Sequence, residues 1–122
     1  MIVVGVALAG ALGAPARYVV ELLVRRVRPG PFPLGTFLVN VSGSLALGIV
    51  VGLATCGALD ADARTVAGVG FLGAYTTFST YAYETVRLAE GGERRRAAVY
   101  AVASMLIAAA AAALGLALTG AL

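Results

Sequence analysis

The sequence predicts an all-α membrane protein with four transmembrane helices, and three observations lead to this fold class. Of its 122 residues, 61% are hydrophobic and only 12% are charged, whereas about 25% of the residues in a soluble domain are charged. The mean hydropathy is +0.95. The apolar residues fall into four runs of about the 20 residues that a helix needs to cross a bilayer. These runs are too long for membrane strands and show no polar–apolar alternation.

The four spans are separated by charged or proline-containing connectors. In chain order, they cover about residues 2–24, 33–58, 65–88 and 97–122. Almost nothing remains for a soluble domain, so we expect residues 1–122 to form a single four-helix transmembrane domain.

The arginines of the connectors are distributed unevenly between the two ends of this bundle. With four spans, the first and third loops lie on one side, and the termini and the second loop lie on the other. The first side carries seven arginines, namely Arg25, Arg26, Arg28, Arg87, Arg94, Arg95 and Arg96. The opposite side carries Arg64 alone. The positive-inside rule therefore predicts that the first and third loops face the cytoplasm. We expect a multi-pass protein of the inner or plasma membrane of the cell.

Several polar residues lie within the predicted spans, where such residues are costly and often functional. Arg17 and Glu21 are four residues apart on one helical face. This suits an intrahelical ion pair, an arginine that snorkels toward the headgroups, or a cation that draws anions to a vestibule. Glu84, near the end of the third span, is either a snorkelling or interfacial carboxylate or a functional group. Asn40 is either an interhelical hydrogen-bonding group or a donor that lines an ion path.

The stretch GFLGAYTTFST, residues 70–80, contains two glycines, and four of the five positions from 76 to 80 are Ser or Thr, inside an apolar span. This composition favours an interruption of the third helix in mid-membrane. Irregular backbone at that depth must be buried in protein or line a cavity. Phe78 and Tyr81 share a face, and Ser79 and Thr80 lie beside them. Ring edges and hydroxyls together can replace an anion's hydration. The alternative is a continuous helix whose hydroxyls bond to its own backbone.

Four motifs, taken together, resemble the Fluc family of fluoride channels, which is also called CrcB. They are GALGAPARY at residues 10–18, GTFLVNVSGSLALG at residues 35–48, GFLGAYTTFST at residues 70–80, and Glu84. They occur in the family's order and on the expected spans, and the similarity covers nearly the whole chain.

The resemblance implies an antiparallel dimer of four-helix subunits that encloses two fluoride pores and exports fluoride by passive electrodiffusion. It also implies a structural, untransported sodium ion at the dimer interface, held by backbone carbonyls that map to Gly73 and Thr76. The family's other functional positions map as follows: the pore aromatics to Phe78 and Tyr81, the polar track to Asn40, Ser79 and Thr80, and the vestibule to Arg17 and Glu84. Tyr100 corresponds to a family tyrosine, although no motif anchors it.

The chain departs from the family pattern in two ways. Tyr81 stands where the family usually has Phe, so its hydroxyl either adds a donor or obstructs the path. The uneven arginines favour one fixed orientation in the membrane. The expected partner is therefore either a second copy of this chain or a paralogous four-helix subunit inserted the opposite way.

Other classes of function have less support in the sequence. The chain has no His, no Lys, no nucleophile–base pair and no cofactor loop, so we expect no enzyme. No basic stripe interleaved with aromatic residues indicates nucleic acid. A small proton-coupled multidrug exporter would need a deep carboxylate, and Glu21 is the candidate in the first span. A non-conducting scaffold subunit would need only the Gly- and Ala-rich packing surfaces. Fluoride and membrane lipid are the expected partners besides the second subunit.

Overall fold

The computed structural model describes residues 1–121 and contains only helical elements within that range. They are α1 (Ile2–Val27), α2 (Leu34–Thr55), α3 (Ala61–Thr65), a π-helical segment (Val66–Leu72), α4 (Gly73–Tyr75), α5 (Ser79–Glu90) and α6 (Arg94–Leu118). The predicted all-helical fold class is confirmed. Leu122, the last residue of the fourth predicted span, lies outside the described residues.

Three of the described helices are long and apolar enough to cross a membrane. These are α1, α2 and α6, with mean hydropathies of 1.6, 2.0 and 2.3 over their most apolar windows. They correspond to the first, second and fourth predicted spans. The third predicted span, residues 65–88, is instead divided among the π-helical segment, α4 and α5.

The chain leaves helical geometry between α4 and α5. Thr76 is extended, with φ −81° and ψ 161°, and α5 begins at Ser79. The local sequence explains why helix is weak here, since glycines at positions 70 and 73 and β-branched threonines at 76 and 77 all disfavour it. The position of this interruption relative to the bilayer stays a prediction.

Helices α2 and α6 pack against each other more extensively than any other pair of elements. Their contact depends on one glycine from each helix, and each glycine lies against the backbone of the other helix. A Cβ placed on Gly48 would overlap the carbonyl of Ala112, and one placed on Gly115 would overlap the carbonyl of Leu45. Membrane helices commonly approach through small residues in this way. Gly48 therefore serves packing within the subunit.

The residues from the start of the π-helical segment to the end of α5, 66–90, form the interrupted segment and contact both α1 and α6. The π-helical segment and α4 pack against α1, and α5 packs against α6. Helix α1 also contacts α2. The core is small, and its buried apolar residues are Val39, Leu72, Leu88, Ala97 and Tyr100. Many large apolar side chains on α1 and α6 are exposed in the single chain. Such surfaces suit lipid or another membrane helix.

Candidate functional site

A cavity of about 360 Å³, the central cavity, lies beside the interruption between α4 and α5. Its lining includes Asn40, Gly73, Thr76, Thr77, Phe78, Tyr81 and Ser104. These residues come from α2, from the interrupted segment and from α6. None of the residues that line this cavity is charged. Five of the nine residues to which the sequence assigned a site role are thus brought together.

Asn40 joins α2 to the interruption through two hydrogen bonds. Its Nδ2 donates to the carbonyl of Thr77 at 2.9 Å, and its Oδ1 accepts from the Thr77 amide at 2.9 Å. The Asn40 side chain thus provides a hydrogen-bond partner for both the amide and the carbonyl of Thr77, which lies outside the helices. An unpaired backbone group at membrane depth would cost free energy. Among the described contacts, one amide hydrogen of Asn40 is left for a ligand in the cavity.

Thr77 organises the start of α5. Its Oγ1 accepts from the Thr80 amide at 3.2 Å, donates to Thr80 Oγ1 at 3.1 Å and lies 3.3 Å from Ser79 Oγ. Thr77 lies one residue before Phe78, which directly precedes α5, and its hydroxyl accepts from an amide three residues on, as an N-cap side chain does. No sequence pattern had assigned a role to Thr77. Its capping spacing to Thr80 was the available signal.

The carbonyls of Gly73 and Thr76 lose the partners that an uninterrupted helix would give them. In a regular helix these carbonyls accept from the amides of residues 77 and 80. Here those amides donate to Asn40 Oδ1 and Thr77 Oγ1 instead. Carbonyl oxygens released by unwound backbone are the kind of donor that holds sodium in membrane proteins. The donor chemistry therefore fits the ion that the family resemblance implies.

Two aromatic rings form one wall of the central cavity. The rings of Phe78 and Tyr81 lie 5.6 Å apart at 47°, and Tyr81 lies 5.5 Å from Tyr100 at 43°. The Tyr81 hydroxyl donates to the Ala101 carbonyl at 2.9 Å, so it is bound to the backbone of α6. Phe78 is 75% exposed, which leaves this wall open in the single chain.

A second cavity of about 590 Å³, the arginine-end cavity, lies where α1 ends and α2 and α6 begin. Its charged lining residues are Glu21, Arg25, Arg28, Glu84, Arg87 and Glu93, and Thr80 also lines it. Glu84 Oε2 accepts from the hydroxyl of Tyr100 at 3.0 Å, and Tyr100 is fully buried. Tyr100 therefore connects the aromatic wall to this cavity.

Thr80 and Tyr81 are consecutive residues that line different cavities, so the first turn of α5 contributes to both. The remaining predicted residues lie elsewhere. Ser79 lines neither cavity and contacts Thr77 instead. Arg17 also lines neither cavity. The ion pair considered for Arg17 and Glu21 is absent from the described residues, where Arg96–Glu93 is the one pair found.

Ser104 is a second residue of the central cavity that the sequence-based analysis missed. It is 5% exposed, and its Oγ has no hydrogen-bond partner among the described residues. Its signal in the sequence was its spacing, since Tyr100 and Ser104 are four residues apart in an otherwise apolar stretch of α6. This spacing puts both side chains on one helical face.

A small chain of apolar helices with an uncharged cavity that contains a few polar groups, and with a charged cavity at one helix end, has the architecture of a membrane channel or transporter subunit. The chain belongs to the CrcB family, because residues 4–116 match the family described as "CrcB-like protein, Camphor Resistance (CrcB)". This confirms the family to which the motifs pointed, and the family together with the apolar helices identifies a membrane protein.

Curated relatives support the same assignment. "Fluoride-specific ion channel FluC 1" of Leifsonia xyli is 48% identical over 98% of this chain and 88% of its own length. "Fluoride-specific ion channel FluC" of Nitratidesulfovibrio vulgaris is 48% identical over 89% of each chain. A protein of that name from Thermus thermophilus is 44% identical over 96% of this chain and 94% of its own. Because the relatives are named ion channels, the expectation that the chain is not an enzyme is confirmed.

Proposed function

We propose that this chain is a subunit of a fluoride-selective channel that exports cytoplasmic fluoride by passive electrodiffusion. The relatives named as fluoride-specific channels support this proposal. The structural observation that carries it is that Thr80 and Tyr81, consecutive residues of α5, line the charged and the uncharged cavity respectively. An ion that enters the arginine-end cavity would meet the hydroxyl of Thr80 and then the uncharged central cavity.

Fluoride is small and strongly hydrated, so a selective path must replace its lost hydrogen bonds. The central cavity offers a free amide hydrogen of Asn40, the unpartnered hydroxyl of Ser104 and the ring edges of Phe78 and Tyr81. Ring edges carry partial positive charge. Donors held at fixed spacing favour a small anion over a large one, which is how narrow pores select.

We include a structural sodium ion in the proposal, held by the carbonyls of Gly73 and Thr76. The support is the diversion of their usual amide partners to side chains. When bound, this ion would supply fixed positive charge close to the path. The protein's own contribution is to keep the backbone unwound, which Asn40 and Thr77 do through their hydrogen bonds.

We further propose that the working channel is an antiparallel dimer, in which the interruption lies at mid-membrane and the first and third loops face the cytoplasm. Phe78 is open on one side in the single chain, and a second subunit would close that wall. The seven arginines at one end oppose free insertion in both orientations. The partner is either a second copy of this chain or a paralogous subunit of opposite loop charge.

The other candidate functions receive no comparable support. A proton-coupled exporter needs a carboxylate in its substrate site, and among the described residues none lines the central cavity. Glu21 lies instead in the arginine-end cavity. A scaffold subunit would not need a cavity with hydrogen-bonding groups inside an apolar bundle.

Fluoride efflux from liposomes that contain the purified protein tests the proposal. The fluoride released after adding a potassium ionophore is read with a fluoride electrode, and chloride efflux is read in parallel. We expect fast fluoride efflux with chloride retained. The assay is repeated with a four-span partner of opposite loop charge, because an obligate heterodimer would conduct only then.

The outcomes separate the alternatives. Flux from this chain alone would show that two copies suffice, whereas flux only with the partner would show a heterodimer. Flux that requires a proton gradient would favour the exporter. The absence of flux in every subunit composition would leave a non-conducting scaffold subunit as the remaining function.

A further inference from the structure

Glu21 is a charged residue of the arginine-end cavity to which the proposed path gives no role. It lies on α1 and lines the cavity. Its Oε1 atom is buried and has no hydrogen-bond partner among the described residues. The stem of the side chain packs against α2 at Gly35, where an added Cβ would lie 3.2 Å from Glu21 Cα and 3.5 Å from its Cβ and Cγ. The carboxylate is therefore held at the cavity wall.

Two arginines are placed to neutralise Glu21, yet neither does so. Arg17 precedes it by four residues and Arg25 follows it by four, so both share its helical face. No ion pair joins Glu21 to either arginine within 4.0 Å in the part of the chain that the structure describes. Helix α2, which packs against this part of α1, contributes no ionisable side chain.

The other two carboxylates of this cavity do have partners. Glu84 accepts a hydrogen bond from Tyr100, and Glu93 forms an ion pair with Arg96. The cavity wall holds three arginines and three glutamates, so their formal charges cancel. Glu21 is thus the carboxylate whose negative charge is least compensated by neighbouring groups.

We propose that Glu21 limits the rate at which anions enter the channel and leaves selectivity unchanged. This inference rests on the proposed function, since it concerns the access path of the same channel. The carboxylate opposes the attraction that Arg25, Arg28 and Arg87 exert on an anion. Its removal leaves the cavity with a net positive charge, which raises the local anion concentration. Fluoride and chloride carry equal charge, so both respond alike.

The test is fluoride efflux from liposomes with Glu21→Gln, measured at low and at high ionic strength, in the subunit composition in which the parent conducts. At roughly 10 mM salt, where the Debye length is about 30 Å, we expect efflux about fivefold faster than that of the parent. At about 1 M salt, where the Debye length falls to about 3 Å, the gain should vanish. The ratio of fluoride to chloride flux should match that of the parent at both salts.

Two further variants distinguish this effect from a general change in charge or packing. Glu90→Gln makes the same charge change on an exposed residue that lines neither cavity, and we expect parent-like flux. Glu21→Asp keeps the charge and should keep the parent's rate and salt dependence. If Glu21 had only a structural role, Glu21→Gln would not give a gain in fluoride efflux that high salt removes.

The inference is overturned if the parent conducts and Glu21→Gln shows no gain at low salt, or a gain that persists at high salt. It is also overturned if Glu90→Gln shows an equal gain. In each of these cases the proposed function stands. If the parent conducts in no subunit composition, the proposed function fails and this inference fails with it.

Discussion

The first turn of α5 contributes to both the central cavity and the arginine-end cavity, yet different chemistry lines each of them. No charged residue lines the central cavity, and its amide and hydroxyl groups are largely fixed by hydrogen bonds to backbone. The arginine-end cavity is larger, and six charged side chains line it. Only two of those six, Glu84 and Glu93, have a hydrogen-bond or ion-pair partner among the described residues.

This difference indicates a division of work along the proposed path. Charges that face an aqueous space change the local concentration of any anion, and salt screens them. Dipoles fixed in a narrow space act on the particular ion that fits among them. Substitutions in the central cavity should therefore change selectivity or abolish conduction, whereas substitutions at the arginine end should change the rate in a salt-dependent way.

Among substitutions in the central cavity, Asn40→Asp should lower fluoride efflux the most. The carboxylate can still accept from the Thr77 amide, but it cannot donate to the Thr77 carbonyl, and it adds a negative charge to an anion path. We expect fluoride efflux to fall by at least about 100-fold, as an unpaired buried group plus repulsion would produce.

Thr55→Val is the matched control for Asn40→Asp. Thr55 is a polar residue of the same helix that lines neither cavity, and its hydroxyl bonds to the Val51 carbonyl within α2. Its efflux should stay close to that of the parent. Parent-like conduction by Asn40→Asp would remove Asn40 from the path, provided that both variants migrate as the parent does on size exclusion.

Phe78→Ile tests the aromatic wall. The ring is 75% exposed in the single chain, so its loss should cost the subunit little stability, while the path loses a ring edge that faces the anion. We expect fluoride efflux to fall roughly tenfold with assembly intact. Tyr18→Ile is the control, because Tyr18 is 65% exposed and lines neither cavity. Equal losses in both variants would point to a lipid-facing or packing effect.

Thr77→Val tests whether the interruption depends on a side-chain cap. Valine keeps the shape of threonine but removes the oxygen that accepts from the Thr80 amide. The loss of an N-cap costs about 1 kcal/mol, so we expect a lower thermal transition in detergent and roughly fivefold slower efflux. Thr77→Ser should restore both.

The control for Thr77→Val is Thr85→Val. The Thr85 hydroxyl bonds to the Tyr81 carbonyl within its own helix, so its loss removes no cap. If the two variants lowered the thermal transition equally, the capping role of Thr77 would be wrong.

Much of this architecture could be predicted from the sequence because it follows from local composition. The lengths of the apolar runs predicted three helices that the structure contains. The glycines and hydroxyls of residues 70–80 marked the segment where helical geometry is lost. Asn40 was singled out because a mid-span amide must find a partner. Its partner, the backbone of Thr77, is 37 residues away in the sequence, so tertiary packing was needed to identify it.

What the sequence could not predict depends on which side chains meet. Arg17 and Glu21 have the spacing of an ion pair, yet Glu21 lines a cavity that Arg17 does not. Helical spacing fixes which residues share a face, but rotamers and neighbouring helices decide the contacts. Ser104 was overlooked for a related reason, because a serine in a membrane helix usually bonds to its own backbone. Its role depends on the cavity that α2 and the interrupted segment form beside it.

The smallest expected effect, and the sharpest test of the contrast between the cavities, is that of Tyr81→Phe. The Tyr81 hydroxyl donates to the Ala101 carbonyl at 2.9 Å, so we infer that it anchors the ring to α6 and is not a ligand of the ion. Phenylalanine keeps the ring edge in the wall. We expect efflux within about twofold of the parent, unchanged selectivity and a slightly lower thermal transition, as the loss of one hydrogen bond predicts. Tyr18→Phe, at an exposed tyrosine of α1 that lines neither cavity, should leave all three unchanged. A tenfold or larger loss of fluoride flux in Tyr81→Phe alone would make the hydroxyl a ligand, whereas a comparable gain would show that it obstructs the path.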